Sequence, residues 1–411
     1  MKKILPKRRF EEFKDSEAWE QRKLTDEVEL YSGLTYSPED IVNESGTFVL
    51  RSSNVKQGEI VDADNVYVKQ EVVNSDNVEL GDIIVVVRNG SRNLIGKHAQ
   101  IKEQKANTVI GAFMTGLRSG QSNFINALLD TNIFKSEIDK NLGATINQIT
   151  NGMFHQMYFM MPNPEEQERI GLFFNNLDNL ITLHQRKLKK LKNIKSAYLS
   201  EMFPKDGELY PKRRFAGFND PWEQRKLWEL ADKAVDNRGK TPPLDINGTH
   251  PLIEVASLGT GSPDYSKVEK YLNDYSFEHH LRDYIKKGDI LFSTVGSIGL
   301  VSLMDNQENA AIAQNIVAFR AKENYSSEYL YAMFSTESNK AKAYRIVMGA
   351  VQPSIKVSQL INVEYCITND KKEQELIGKL FLQLDNLITL HQRKLEKIEA
   401  LKQAYLSEMF V

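Results

Sequence analysis

Residues 177–203 read LDNLITLHQRKLKKLKNIKSAYLSEMF, and residues 384–410 read LDNLITLHQRKLEKIEALKQAYLSEMF; 21 of the 27 positions are identical at an offset of 207. A chain that repeats itself this closely must be read as a repeat before anything else. Within each copy, a 4-3 alternation picks out Leu177, Ile181, His184, Leu188, Leu191, Lys195, Tyr198 and Met202, answered by Leu384, Ile388, His391, Leu395, Ile398, Lys402, Tyr405 and Met409. That spacing predicts a long helix with a coiled-coil seam. The first helix is expected over 165–203, with Asn163 as N-cap, Pro164 at the first helical position and Pro204 as its stop; the second is expected over 370–410, capped by Asn369 or Thr368. His184 and His391 read as polar seam positions that fix register, and the lysine run from Lys187 to Lys195 as a solvated outer face.

Working outward, the repeat is longer than the helix. PKRRF at 6–10 recurs at 211–215, and WEQRKL at 19–24 recurs at 222–227. Between these blocks the letters diverge while a skeleton persists: Gly81-Asp82-Ile83-Ile84 answers Gly288-Asp289-Ile290-Leu291, and Gly143-Ala144 answers Gly349-Ala350. The expected organisation is a lead-in (1–24), a first variable domain (25–162), a first helix (163–204), a second lead-in (205–227), a second variable domain (228–368) and a second helix (369–411). The expected class is α+β: two mixed α/β domains separated by an antiparallel pair of long helices, related by an internal pseudo-twofold, with the amino-terminal PKRRF answering the sequence that follows the first helix. Antiparallel pairing obeys that pseudo-twofold, and a surface repeated almost letter for letter offers a partner two equivalent docking sites. Strands are expected at 82–87, 48–51, 289–293, 316–320 and 363–368, with helices near 122–140 and 326–348. Cys366 reads as a buried small hydrophobe.

Bulk composition narrows the function by exclusion. The 411 residues are 41% hydrophobic and 26% charged, with a formal charge of −2, so the chain folds and its total charge argues for no particular partner. One cysteine rules out an internal disulfide framework and fits the cytosol; no signal peptide or 18-residue uncharged run is evident. Catalytic constellations are missing. The glycine-rich run Gly90 to His98 has the wrong spacing for a phosphate loop, the seven histidines lack metal-ligand spacing, and neither a nucleophile elbow nor a dinucleotide fingerprint occurs. No metal site is expected, and the chain reads as a non-enzyme.

Local charge is more informative. Residues 25–82 carry 13 acidic and 3 basic groups, whereas 83–158 carry 8 basic and 4 acidic ones. The basic set includes Arg88, Arg92, Lys97, Lys102, Lys105 and Arg118, interleaved with Asn89, Asn93, His98 and Gln100, a mixture able to neutralise phosphates and to pair with base edges. Candidate DNA contacts are Arg88, Asn89, Arg92, Asn147 and Gln148 in the first domain, and Arg238, Lys240, Ser293, Gln352 and Lys356 in the second. The basic helix bearing Lys340, Lys342 and Arg345 adds to the second set.

The two variable domains, the PKRRF and WEQRKL lead-ins, and the paired helices ending in AYLSEMF resemble the specificity subunit of type I restriction-modification systems, across essentially the whole chain. The resemblance implies that each variable domain reads one half of an interrupted, asymmetric DNA site. The helices then set the spacing and dock two modification subunits, which bind S-adenosylmethionine and methylate adenines. Restriction subunits using ATP and Mg2+ would join that assembly. Half-sites one turn of B-DNA apart lie about 34–36 Å centre to centre, a scale that a helix pair of about 40–60 Å suits. The competing expectation is a coiled-coil scaffold joining two protein partners without reading DNA sequence.

Overall fold

The computed structural model describes residues 5–142, 147–237, 241–307, 309–349, 351 and 353–411. The chain forms two compact units, one of residues 1–183 with 395–411 and the other of 184–394.

Two helices dominate: Pro164–Glu201 and Lys371–Met409. The first starts as the sequence indicates, the Asn163 side chain accepting from the Glu166 amide at 2.9 Å. The second is capped differently. Asp370, not Asn369 or Thr368, accepts from the amides of Lys372 (2.8 Å) and Glu373 (3.2 Å), which places a negative charge at the positive end of the helix.

In the first unit, the amino-terminal part of the first helix packs against the carboxy-terminal part of the second. Phe173 meets Tyr405 edge to face at 5.1 Å, Phe174 lies 5.8 Å from Phe410, and Lys402 donates to Asp178. From Phe174 against Phe410 to Asp178 against Lys402, rising numbers on one helix meet falling numbers on the other, so the segments run antiparallel. The second unit repeats this with the roles exchanged: Phe203 lies 6.0 Å from Phe381, Lys195 donates to Asp385, and His184 Nδ1 sits 2.9 Å from His391 Nδ1. One ring donates and the other accepts, as expected of a polar seam pair. Burial, reinforced by the charges of His391, Lys394 and Lys187, holds the His184 pKa below its usual value. The seam leucines Leu188, Leu384 and Leu395 are buried, as is Ile388, while Leu177, Ile181, Leu191 and Ile398 are partly so.

Each unit carries the same β framework. In the first, an antiparallel sheet runs Glu29–Ser32, Met114–Arg118, Ile83–Val86, His98–Gln100; in the second, Ala231–Asp236, Ile316–Ala321, Ile290–Ser293, Val301–Leu303. A smaller sheet in each contains one parallel pair, Thr47–Leu50 with Thr108–Ile110 and His250–Ile253 with Ala311–Ile312. The lead-in strands Glu20–Lys23 and Glu223–Lys226 pair with Tyr158–Met161 and Glu364–Ile367, the latter burying Cys366. Continuous apolar strands such as Ile83–Val86 are buried on both faces.

The helical stretches expected near 122–140 and 326–348 are each broken in two: Ser122–Leu129 and Asn132–Asn141, Ser327–Phe334 and Glu337–Tyr344. The physical reason is a threonine at each break. Thr131 and Thr336 each accept from the amide three residues on, at 3.2 Å, and so start a new helix. The long helices approach the first member of each pair through a glycine. A Cβ on Gly171 would lie 2.6 Å from the Phe124 nitrogen, and one on Gly378 would lie 2.7 Å from the Tyr329 nitrogen. Among the described residues, no helix is long and apolar enough to cross a membrane.

Candidate nucleic-acid interface

In the first unit, loops from both sheets meet at one edge. Residues 33–36 and 111–113 lie backbone against backbone: Leu34 N donates to Ile110 O (2.7 Å) and Ala112 N to Leu34 O (2.9 Å). A Cβ at Gly33 would fall 2.0 Å from the Gly111 oxygen, so only glycine permits this approach. Residues 87–89 are laced on from the other side, with Val87 N and Arg88 N both donating to Phe113 O (2.9 and 3.2 Å) and Ile149 N donating to Val87 O (2.8 Å). Arg88 forms a lone antiparallel bridge with Gln148. The resulting groove, about 540 Å³, is lined by Tyr36, Ile41, Arg51, Ser52, Asn89 and Phe113, among others.

The five candidates of the first domain are thus sorted. Arg88, Asn89, Asn147 and Gln148 come together at this edge, but with different duties. Asn89 is spent on the loop itself, donating to Ser52 Oγ (3.2 Å) and accepting from Ser91 N (3.0 Å); Asn147 donates to Gly90 O at 3.3 Å. Arg88 is exposed, and its guanidinium lies 4.9 Å over the Phe113 ring. Arg92 is elsewhere, exposed on a separate cleft of about 680 Å³ with Lys97 and Lys135, its guanidinium donating to Asp139 O.

Several residues counted in the basic set prove structural. Arg118 grips the buried Asp82 through two 3.0 Å hydrogen bonds, and Arg320 grips Asp289 in the same way through two of 2.7 Å, so the Gly-Asp skeleton exists to hold these arginines. Lys102 pairs with Glu59 at 2.5 Å. His98 is buried beside Asp130, 3.3 Å away. Burial opposes its charge, but the Asp130 carboxylate and the Gly96 carbonyl outweigh that and hold its pKa above the usual value. The opposite shift follows at Asp130: burial works against its charge, but His98 and Lys402 hold its carboxyl well below the usual range.

In the second unit, Ser293 is set aside. It is buried, donates to Ser297 O (2.6 Å) and accepts from Leu300 N (2.8 Å), which exhausts its hydroxyl on the hairpin it helps to close. The basic helix is likewise neutralised: Lys340 pairs with Glu337, and Lys342 and Arg345 both with Asp206. Lys356 is exposed; its carbonyl accepts from the amides of Gln359 and Leu360, and its side chain makes no hydrogen bond or ion pair among the described residues. Arg238, Lys240 and Gln352 lie outside the described residues. Phe113, Tyr36 and Arg51 were missed by sequence reasoning; the Gly33–Gly111 contact that assembles them has only the isolated Gly33-Leu34-Thr35 as a local signal.

A duplicated framework with loop edges that differ in side chains, joined by helices that hardly differ, defines a protein with two recognition modules on a common support. The family model for the type I restriction modification DNA specificity domain matches twice, at residues 16–193 and 219–400, and the chain belongs to that family. It is 22% identical over 418 residues to the type I restriction enzyme EcoKI specificity subunit of Escherichia coli, covering 96% of this chain and 89% of that one. It is 24% identical over 274 residues to the MjaVIII specificity subunit of Methanocaldococcus jannaschii, spanning 64% of this chain and 63% of that subunit's length. The fold matches the crystal structure of a type I restriction-modification S subunit from M. genitalium with a TM-score of 0.70 at 14% identity, covering 99% of both chains.

Proposed function

We propose that each domain reads one half of an interrupted, asymmetric site in double-stranded DNA, and that the two repeated helix faces each hold one modification subunit. The observation that carries this reading is the contrast between edges and helices. The same backbone presents different side chains at the two loop edges, while the helices keep their surface letters. Outward from the seam, Leu180 and Leu183 on the first helix and Leu387 and Leu390 on the second are 44–46% exposed. These leucines occupy equivalent positions in the two copies, as a surface that meets the same partner twice requires. The chain itself is non-catalytic and needs no cofactor. Modification subunits supply S-adenosylmethionine, restriction subunits supply ATP and Mg2+, and the assembly works in the cytoplasm.

The test is to express the chain with a cognate modification subunit in a host lacking other systems and to map modified adenines by single-molecule sequencing. One bipartite motif with two different halves is expected, together with co-purification of two modification subunits per chain. Co-purification without any sequence preference would replace this reading with that of a protein scaffold.

A further inference from the structure

The two loop edges share one backbone frame. In the first unit Val87 N donates to Phe113 O at 2.9 Å, and Val87 O accepts from Ile149 N at 2.8 Å; in the second, Thr294 N donates to Asn315 O at 2.8 Å, and Thr294 O accepts from Ile355 N at 2.9 Å. The residue after each forms the same lone bridge, Arg88 with Gln148 and Val295 with Ser354. Position 88 therefore corresponds to 295, and position 113 to 315.

The side chains on that frame differ in kind. Phe113 is 50% exposed although its backbone oxygen is held by two amides, so its ring is presented on a rigid support rather than packed away. The Arg88 side chain lies across the ring and makes no hydrogen bond or ion pair among the described residues, which leaves its guanidinium N–H groups directed by stacking alone. In the second unit Asn315 and Val295 are half-buried. The Asn315 backbone oxygen is occupied, while its side-chain amide makes no hydrogen bond among the described residues. An unpaired planar donor fork beside an apolar surface can take a ligand without first giving up a protein contact.

We propose that these paired positions are specificity determinants, each reading one base pair in the major groove. Arg88, steered by Phe113, takes the O6 and N7 acceptors of a guanine, and Asn315, beside Val295, takes the N6 and N7 edge of an adenine. The apolar partner of each pair is suited to a neighbouring thymine methyl. This deepens the DNA-reading proposal and rests on it, because it assigns a base class to one position of each half-site.

The experiment uses the complete modification complex and the same sequencing map for wild type, Arg88→Ala, Asn315→Ala and the exchange variants Arg88→Gln and Asn315→Arg. Arg88→Ala is expected to relax a single G·C position in one half-site by roughly 5- to 150-fold, and Asn315→Ala a single A·T position in the other. The half-site that each substitution leaves untouched, still read as in wild type, reports that the complex is folded. If an alanine variant abolishes modification altogether, binding competition with the exchange variants decides: Arg88→Gln should move preference at that position from guanine to adenine, and Asn315→Arg the reverse. Unchanged motifs in all four variants, with the wild-type bipartite motif intact, overturn this inference and leave the proposed function standing. Weakening that is uniform across sequences, with a shallower salt dependence, makes Arg88 a phosphate contact and overturns its role. A wild-type complex with no bipartite motif refutes the underlying reading instead.

Discussion

Replacing Arg9 with alanine separates a buried ion pair from an exposed one a single residue away. The side chain of Arg9 is 7% exposed and that of its partner Glu166 not at all; the guanidinium donates twice to that carboxylate (2.7 and 2.6 Å) and also to the carbonyls of Ser16 (3.1 Å) and Glu17 (3.0 Å). Arg8 reaches Glu408 at 2.6 Å, but its side chain is 54% exposed. Truncating Arg9 leaves an unpaired carboxylate in the interior, a loss of about 3–5 kcal/mol, whereas truncating Arg8 leaves the Glu408 carboxylate, 37% exposed, to water. The local readout is hydrogen exchange by mass spectrometry at strand Glu20–Lys23, which follows directly from the segment Arg9 secures. At about 1.4 kcal/mol per tenfold, Arg9→Ala should lower protection there by about two to three and a half orders of magnitude. Arg8→Ala should leave it nearly unchanged, and Arg9→Lys, which keeps the charge but loses the fork, should fall between. Protection within threefold of wild type in Arg9→Ala, or an equal effect from Arg8→Ala, refutes the reasoning.

The pKa of His98 is raised in the fold, so its contribution to stability is fully present below about 6.5 and is withdrawn as pH rises through the folded value; urea midpoints followed upward from pH 6.5 should fall in wild type and stay flatter in His98→Gln, and parallel curves would count against the assignment. His184, with a lowered pKa, works in the opposite sense: its neutral form is favoured, and stability is lost as pH falls below about 6.5. Gly378→Ala should destabilise by about 1–3 kcal/mol despite alanine's better helix propensity, since the added methyl meets backbone; a gain in thermal midpoint would show that the neighbouring helix yields. Leu180→Asp combined with Leu387→Asp should abolish co-purification of a modification subunit with circular dichroism unchanged. Leu188→Asp, on the buried seam, should instead unfold the helix pair, and the reverse pattern would reassign the two faces.

What the sequence made legible is what depends on local pattern. Helices at 164–201 and 371–409 and the buried strand at 83–86 follow from periodicity, and the start of the first helix from its Asn163 cap. The candidate site was legible only as a neighbourhood, because whether a polar group is available depends on contacts far along the chain. Arg118 looks as free as Arg88 until Asp82, 36 residues earlier, is brought against it. Ser293 looks like a ligand-facing hydroxyl until the hairpin returns Leu300 to it. Phe113 carries no signal at all, since its exposure follows from a backbone contact between Gly33 and Gly111.

The polar seam positions explain how such similar helices settle on one register. Leucines repeated every three or four residues would accept a slip of one heptad with little loss. The charges would not. Asp385, 4% exposed, receives both Lys195 and the Tyr331 hydroxyl (2.8 Å), and Lys402, 9% exposed, serves both Asp178 and Asp130. A slip would strand these groups without partners, at several kcal/mol for each buried ion. Each lysine–aspartate pair is also bound to its own domain, one through Tyr331 on helix Ser327–Phe334 and the other through Asp130 at the end of Ser122–Leu129. The same contacts that fix helix register thereby fix where each domain sits along the helices of its unit, so the orientation of a loop edge is set by the residues least free to vary, and the edge itself is left open to change.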